Sequence, residues 1–409
     1  MTDQTPRPAK SLSGFTWGIC VLLFLGTLLN YLDRQVMAMT ADKIIADFHM
    51  SKEDLGGIIA AFRYAYGIGH LVGGFLIDAY GPRFVYPAAG SLWSLGGMLM
   101  GFATTAGLLR GFNAALGAGE AFNFPCGLKA TAALVPPEER PLANGIFNSG
   151  APIGALVAPI IITALAVYYS WRAAFVVTGA LGFVWVAAWL LYTRGSGEKL
   201  KGTGFVFSDT VRVARHIVSL PGFWMLAVSA IIINSVNYYL ADWVPLYLKT
   251  TRGFSFARGN VLSIAVYAGT WLGYVLVGLL VRKLVGKGLA IASAKNWALC
   301  LSCVLLGSAI AAGLTPNRYI AVGCLALTGM GMAGFMVIYL TLAQDLDPAH
   351  VGATSGLLGG LGNLVYGYLS PYIGRLADLK QSFLTLILIG CLPWLAFLVI
   401  YLGTRKEKA

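Results

Sequence analysis

The stretch LLNYLDRQVMAM, residues 28–39, sets Asp33 beside Arg34 after about eighteen residues without a charge. A guanidinium keeps its proton and grips a carboxylate through two parallel hydrogen bonds, so Arg34 is a candidate first contact for an anion. Asp33 either holds a proton or pairs with an arginine elsewhere; adjacent helical side chains point about 100° apart, so these two need not pair with each other. Glu120 stands in ALGAGEAFNFP (115–125), where small neighbours leave space but supply no partner. An apolar site reachable from alternate sides lets such a carboxyl take up and release a proton. A Glu paired to a neighbouring Arg for packing alone is the plainer alternative. Arg63, Tyr66 and His70 fall at i, i+3 and i+7 on one helical face, and Arg110, Asn113 and Glu120 share another. A lone His on a helix is more often packed than a proton relay.

Those residues lie in a chain made for lipid. Of its 409 residues 57% are hydrophobic and only 11% charged, with mean hydropathy +0.73. Soluble chains carry about 25% charged residues, so this composition implies a polytopic membrane protein. The 51 glycines suit close helix packing. The net charge of +12 is assigned to basic loops rather than to nucleic acid. The six cysteines fall in apolar stretches, and Cys300-x-x-Cys303 has no second ligand pair, so neither a metal nor a redox site is expected. The polar N-terminus and first apolar run do not have the form of a cleaved signal peptide.

Apolar runs predict twelve spans, near 15–37, 54–77, 84–104, 106–131, 143–165, 172–193, 222–247, 260–283, 296–314, 318–343, 352–373 and 382–403. The expected organisation is a tail at 1–14, a six-helix bundle over 15–193, a linker at 194–221, a second six-helix bundle over 222–403 and a tail at 404–409. Arg83, Lys199, Lys201, Arg212, Arg215, Arg282, Lys283, Lys287 and Arg405 favour both termini and the linker on the cytoplasmic side. The halves echo each other: NYLD (30–33) and NYYLAD (237–242) each close a first helix. Such a pair of halves suggests a transporter with its site between them. Polar residues suited to hydroxyl groups are Tyr31, Tyr66, Asn148 and Ser149 in the first half, and Asn234, Asn237, Tyr238, Tyr339 and Asn363 in the second. Any of them can instead bridge helices, at about 0.6 kcal/mol each.

The segment GGFLIDAYGPRFVY (73–86) is similar to the loop motif G-x-x-x-D-x-x-G-x-R of the major facilitator superfamily, with Gly74, Asp78, Gly81 and Arg83 matching. Asp78, Gly81 and Arg83 are thereby assigned to gating. NYLDRQ (30–35), GAGEAFNFP (117–125), PPEERPLANGIFNSGAPIGALVAP (136–159), YYLADWVPLYL (238–248) and LAQDLDPAHVGATSGLLGGLGN (342–363) resemble the superfamily's anion:cation symporters of hexuronates, aldonates and sialin type. The resemblance implies an all-α fold of twelve helices and inward, proton-driven transport of a carboxylate by alternating access. It assigns proton coupling to Asp33 and Glu120, substrate binding to Arg34 and a substrate contact to Asn363. A monomer in a bacterial inner membrane is expected, with the proton as coupling ion, no other cofactor, and a small organic anion as partner. No covalent chemistry, hence no enzyme activity, is expected.

One position departs from that pattern. The symporters commonly have an arginine seven residues before the helix-4 glutamate; here it is Asn113, with Arg110 three residues earlier. Either Arg110, facing the same cavity, or Arg63 is then expected to supply the missing charge, unless Arg63 pairs with Asp33 or Glu120. Two other functions use similar features: export of amphipathic lipids or drugs, as in spinster-like relatives, and anion sensing without transport. The three intramembrane arginines speak against the first, and the lack of a segment long enough for a signalling domain against the second.

Overall fold

The computed structural model describes residues 14–135, 140–196, 200–202, 207–347 and 350–406. Outside this set lie most of the expected N-terminal tail, Lys199, the PPEE of the 136–159 segment and residues 407–409; the side chains of Asp78 and Arg405 and the surroundings of Gly74 are also outside it. Every long element among the described residues is a helix. They are α1 (Gly14–Phe48), α2 (Lys52–Tyr80), α3 (Pro82–Met100), α4 (Ala106–Glu120), α5 (Asn123–Leu134), α6 (Arg140–Tyr168) and α7 (Trp171–Tyr192). A connecting helix α8 (Phe207–Ser219) leads to α9 (Pro221–Asp242), α10 (Val244–Thr250), α11 (Phe256–Gly286), α12 (Ile291–Leu306), α13 (Ser308–Leu314), α14 (Arg318–Leu346), α15 (Val351–Asp378) and α16 (Ser382–Lys406).

Three crossings are interrupted, and two of the interruptions have a covalent cause. Pro125 and Pro245 lack the N–H that would reach the carbonyls of Ala121 and Ala241, so the ladder lapses between α4 and α5 and between α9 and α10. Phe122 and Trp243 keep right-handed helical dihedrals, so the chain continues in the same winding. Gly307, also helical, separates α12 from α13. Joined across these points, the helices make twelve crossings arranged as two six-helix bundles, α1–α7 and α9–α16. Among the described residues nine helical stretches, α12 and α13 counted as one, are long and apolar enough, by length and composition, to cross a membrane.

The first span is longer than the 15–37 read from hydropathy. Residues 38–48 continue α1, burying Ala38, Met39, Ala41 and Ile44, with Asp42 half-buried and Asp47 exposed. Asp33 and Arg34 therefore sit in the middle of a 35-residue helix and not at its end.

Call the end of the molecule carrying Gly14 and α8 the terminal face, and the opposite end the far face. The bundles are fastened on the far-face side. Asp378, ending α15, accepts the backbone N–H of Lys52 at 3.1 Å and of Glu53 at 3.0 Å, so a carboxylate from one bundle caps a helix of the other. Lys249 reaches Asp42 at 2.6 Å and the Met39 carbonyl at 2.7 Å, and Asn260 bridges Met39 to Thr163. Gly56 and Gly374 permit this approach: a Cβ on either would fall within 2.4 Å of a backbone oxygen of the facing helix. At the start of α2, Ser51 and Asp54 form a reciprocal cap.

At the terminal face Gly81 takes φ +79° between α2 and α3, and a side chain there would strike residues 200–202 of the linker. The Arg83 amide donates to the Leu200 carbonyl, and its guanidinium to the Arg194 carbonyl at 3.3 Å. The Gly81–Arg83 motif thus ties the linker to the first bundle in this state.

Candidate functional site

The site grows from α4. A Cβ on Gly117 would lie 2.5 Å from the Phe62 carbonyl oxygen of α2, and one on Gly119 2.6 Å from the Trp93 nitrogen of α3. Those two glycines let α4 lie against both backbones and bring Glu120, its last residue, to the centre of the first bundle. The small neighbours of Glu120 in sequence supply no partner, and α1 supplies one. Arg34 donates to one Glu120 oxygen, Oε2, from Nε at 3.0 Å and from Nη2 at 2.7 Å. The other oxygen, Oε1, is buried with no hydrogen bond. The guanidinium carbon lies 5.1 Å from the Tyr31 ring centroid, 4.9 Å from Tyr66 and 5.4 Å from Phe62. Its side chain keeps 11% exposure while that of Glu120 has none. An arginine within reach, holding a sealed carboxylate by a single oxygen, can exchange that carboxylate for another.

Asp33 turns the other way. It is 2% exposed and faces Thr178 of α7, inside the first bundle; neither carboxyl oxygen makes a hydrogen bond. It therefore does not line the space around Arg34. Charge is costly at such a position unless paired.

The second arginine is committed elsewhere than expected. Arg63 pairs with neither Asp33 nor Glu120: its Nη2 donates to both oxygens of Asp242, at 2.8 and 2.7 Å, joining α2 to α9 and hence one bundle to the other. Arg63 is 1% exposed. Its guanidinium stacks on Tyr238 at 3.9 Å, with Phe62 at 5.3 Å and Tyr366 at 5.4 Å. Asn363 donates to the Tyr238 hydroxyl at 2.8 Å and so braces that ring. In the sequence Asp242 stands only as the last residue of NYYLAD, which closes a first helix. The echo of NYLD in NYYLAD was the available signal.

The remaining candidates divide. Tyr31 and Tyr66 border Arg34, and His70 lies edge-on to Tyr66 with ring centroids 4.4 Å apart. Asn237 is half-buried and Tyr339 buried on the second bundle. Asn148 is exposed and donates to its own helix at Asn144, as Ser149 does to Ile146, so neither joins the cluster. Arg110 does not face the centre. It is exposed, and its Nη2 lies 2.8 Å from where a Cβ on Gly57 would stand, close to the far-face end of α2. Ten residues of helix separate it from Glu120, about 15 Å. Asn113, in place of the commoner arginine, is buried and donates to the Ile58 carbonyl at 3.0 Å. Among the described residues no group of three His, Cys, Asp or Glu could hold a metal ion.

Comparison with known proteins agrees with this architecture. The family profile of the Major Facilitator Superfamily matches residues 23–368. The hexuronate transporter of Escherichia coli (strain K12) is 28% identical over 419 aligned positions, covering 96% of this chain and 92% of its own. The probable galactarate/D-glucarate transporter GarP of the same strain is 27% identical, covering 94% and 93%. Among solved structures, a bacterial homologue of the human lysosomal transporter Spinster, inward-facing and occupied, superposes with TM-score 0.80 at 19% identity, over 96% of this chain and 97% of that one. A D-xylose-proton symporter reaches TM-score 0.75 at 16% identity, over 94% and 97%. At those identities the structural likeness speaks for the fold.

Proposed function

Because the chain belongs to the Major Facilitator Superfamily, we propose that it is a secondary transporter importing a sugar acid together with protons. The observation that carries this reading is the Arg34–Glu120 pair. Arg34 is the cation within reach of a small anion, and its counter-ion is a carboxylate with one oxygen unpartnered. While Glu120 is charged it competes with substrate for the guanidinium. A proton on Glu120 weakens that hold and releases Arg34 to form a bidentate pair with a substrate carboxylate. Asp33, buried and unpaired behind it, is the second proton carrier of the proposal. The proposal assigns the substrate's hydroxyl groups to Tyr31, Tyr66, Asn237, Tyr339 and Asn363.

The names of the relatives support the substrate class: hexuronate for one, galactarate and glucarate for another, and D-galactonate for a third from Escherichia coli O6:H1 that is 27% identical over 92% of this chain. Polar contacts between the bundles gather on the far-face side, which suits a state closed there. With the terminal face cytoplasmic, as the basic residues suggest, that state faces inward. The test is uptake into liposomes of labelled glucuronate, galacturonate, gluconate and galactonate, with the outside made acidic. Accumulation driven by the gradient is expected. Failure to take up any of these acids, with or without the gradient, overturns the reading.

A further inference from the structure

The import mechanism leaves one intramembrane charge without a task. Arg63 shares the Phe62 ring with Arg34, their guanidinium carbons 5.3 and 5.4 Å from that ring's centre. Two arginines so placed would match an acid carrying a carboxylate at each end. Yet Arg63 is already occupied, by an aspartate from the opposite bundle.

The two pairs differ in how readily the arginine can be won. Glu120 offers Arg34 one oxygen, and a proton can be added at Oε1. Asp242 engages Arg63 through both oxygens, and Tyr238 covers the guanidinium at 3.9 Å. A second substrate carboxylate arriving at Arg63 would either expel Asp242, leaving it charged, unpaired and buried, or crowd a like charge against it on one guanidinium, and both are unfavourable. Arg63 still has two buried donors, Nε and Nη1, without hydrogen-bond partners, so its capacity exceeds what Asp242 uses.

We infer that Asp242 is a specificity residue: its carboxylate stands on Arg63 in place of a second substrate carboxylate, so the site takes sugar acids with one carboxylate and rejects those with two. This rests on the sugar-acid reading above. It separates the relatives by charge, placing this chain with the hexuronate and galactonate carriers rather than the galactarate/D-glucarate ones.

The test is competition in liposomes against uptake of a labelled monocarboxylate, with unlabelled glucuronate or gluconate compared with galactarate or glucarate. For the wild-type chain the monocarboxylates are expected to compete at least about tenfold better, the order of one hydrogen bond to a charged group. Asp242→Asn keeps the shape and frees Arg63, and shifts that ratio about tenfold towards the dicarboxylates. Arg63→Gln/Asp242→Asn removes both charges and restores the wild-type preference. Equal competition by both classes in the wild type overturns the inference, and so does an Asp242→Asn protein that folds, transports and keeps the wild-type ratio. Should Asp242→Asn fail to fold, the wild-type ratio and the double variant decide: a double variant that favours dicarboxylates overturns it. Absence of uptake of any sugar acid by the wild type is a different result, which removes the transport reading itself.

Discussion

Arg34–Glu120 and Arg63–Asp242 use the same two functional groups at similar depth and do opposite things with them. The first lies within one bundle, its arginine partly open and its carboxylate held by one oxygen. The second bridges the bundles, its arginine sealed by rings and its carboxylate held by two. Chemistry alone does not decide whether an intramembrane ion pair is a working site or a fastening. The free valence on the carboxylate and the access to the cation decide it. In the proposed function the first pair is exchanged and the second kept.

The sharpest way to break the comparison is to remove one carboxylate from each pair and compare stability. Asp242→Asn leaves a buried guanidinium without its counter-charge and is expected to cost about 3–5 kcal/mol, read as a fall in thermal midpoint in detergent, with most of it regained in Arg63→Gln/Asp242→Asn. Glu120→Gln, whose partner reaches water, should cost clearly less. Equal losses from the two would abolish the distinction. Next comes Arg34→Ala, which removes the anion's fork and should weaken substrate binding about hundredfold, as two charge-assisted bonds imply, measured by calorimetry.

Smaller effects test the frame around the pairs. Asp378→Asn weakens the charge at the N-terminus of α2 by about 0.3–1 kcal/mol and should shift the population towards states open at the far face. Spin labels at Ala46 and Arg258, both exposed there, would show a new longer distance. The smallest effect is Arg110→Ala, an exposed change expected to stay within about 0.5 kcal/mol in stability and to leave uptake unchanged. A large loss of uptake would return Arg110 to the site.

How much of this was legible beforehand varies by residue. Hydropathy gave an all-helical chain of twelve crossings, because lipid demands long apolar helices. It ended α1 too early, since Asp42, Lys43 and Asp47 look like a loop when their neighbours' burial is unknown. Periodicity put Arg110 and Glu120 on one face, but a face carries no depth, and about 15 Å of rise separates the exposed Arg110 from the buried Glu120. Small residues around Glu120 were read as leaving space without supplying a partner; α2 and α3 take that space, and the partner comes from α1. The Arg63 partner lies 179 residues away on the opposite bundle. No local pattern encodes such a contact, although the repeated NY…D hinted that Asp242 has a counterpart's importance.

The account's central claim is that a proton on Glu120 gives Arg34 to the substrate. Glu120→Gln fixes that position in a form that cannot be charged, so substrate binding and exchange should persist while coupling is lost. The measurement is paired in the same liposomes: exchange of labelled for unlabelled substrate with no gradient, and net accumulation under an inward proton gradient. The account predicts that Glu120→Gln retains exchange and no longer responds to the gradient. Gradient-driven accumulation at the wild-type level by that variant would contradict it.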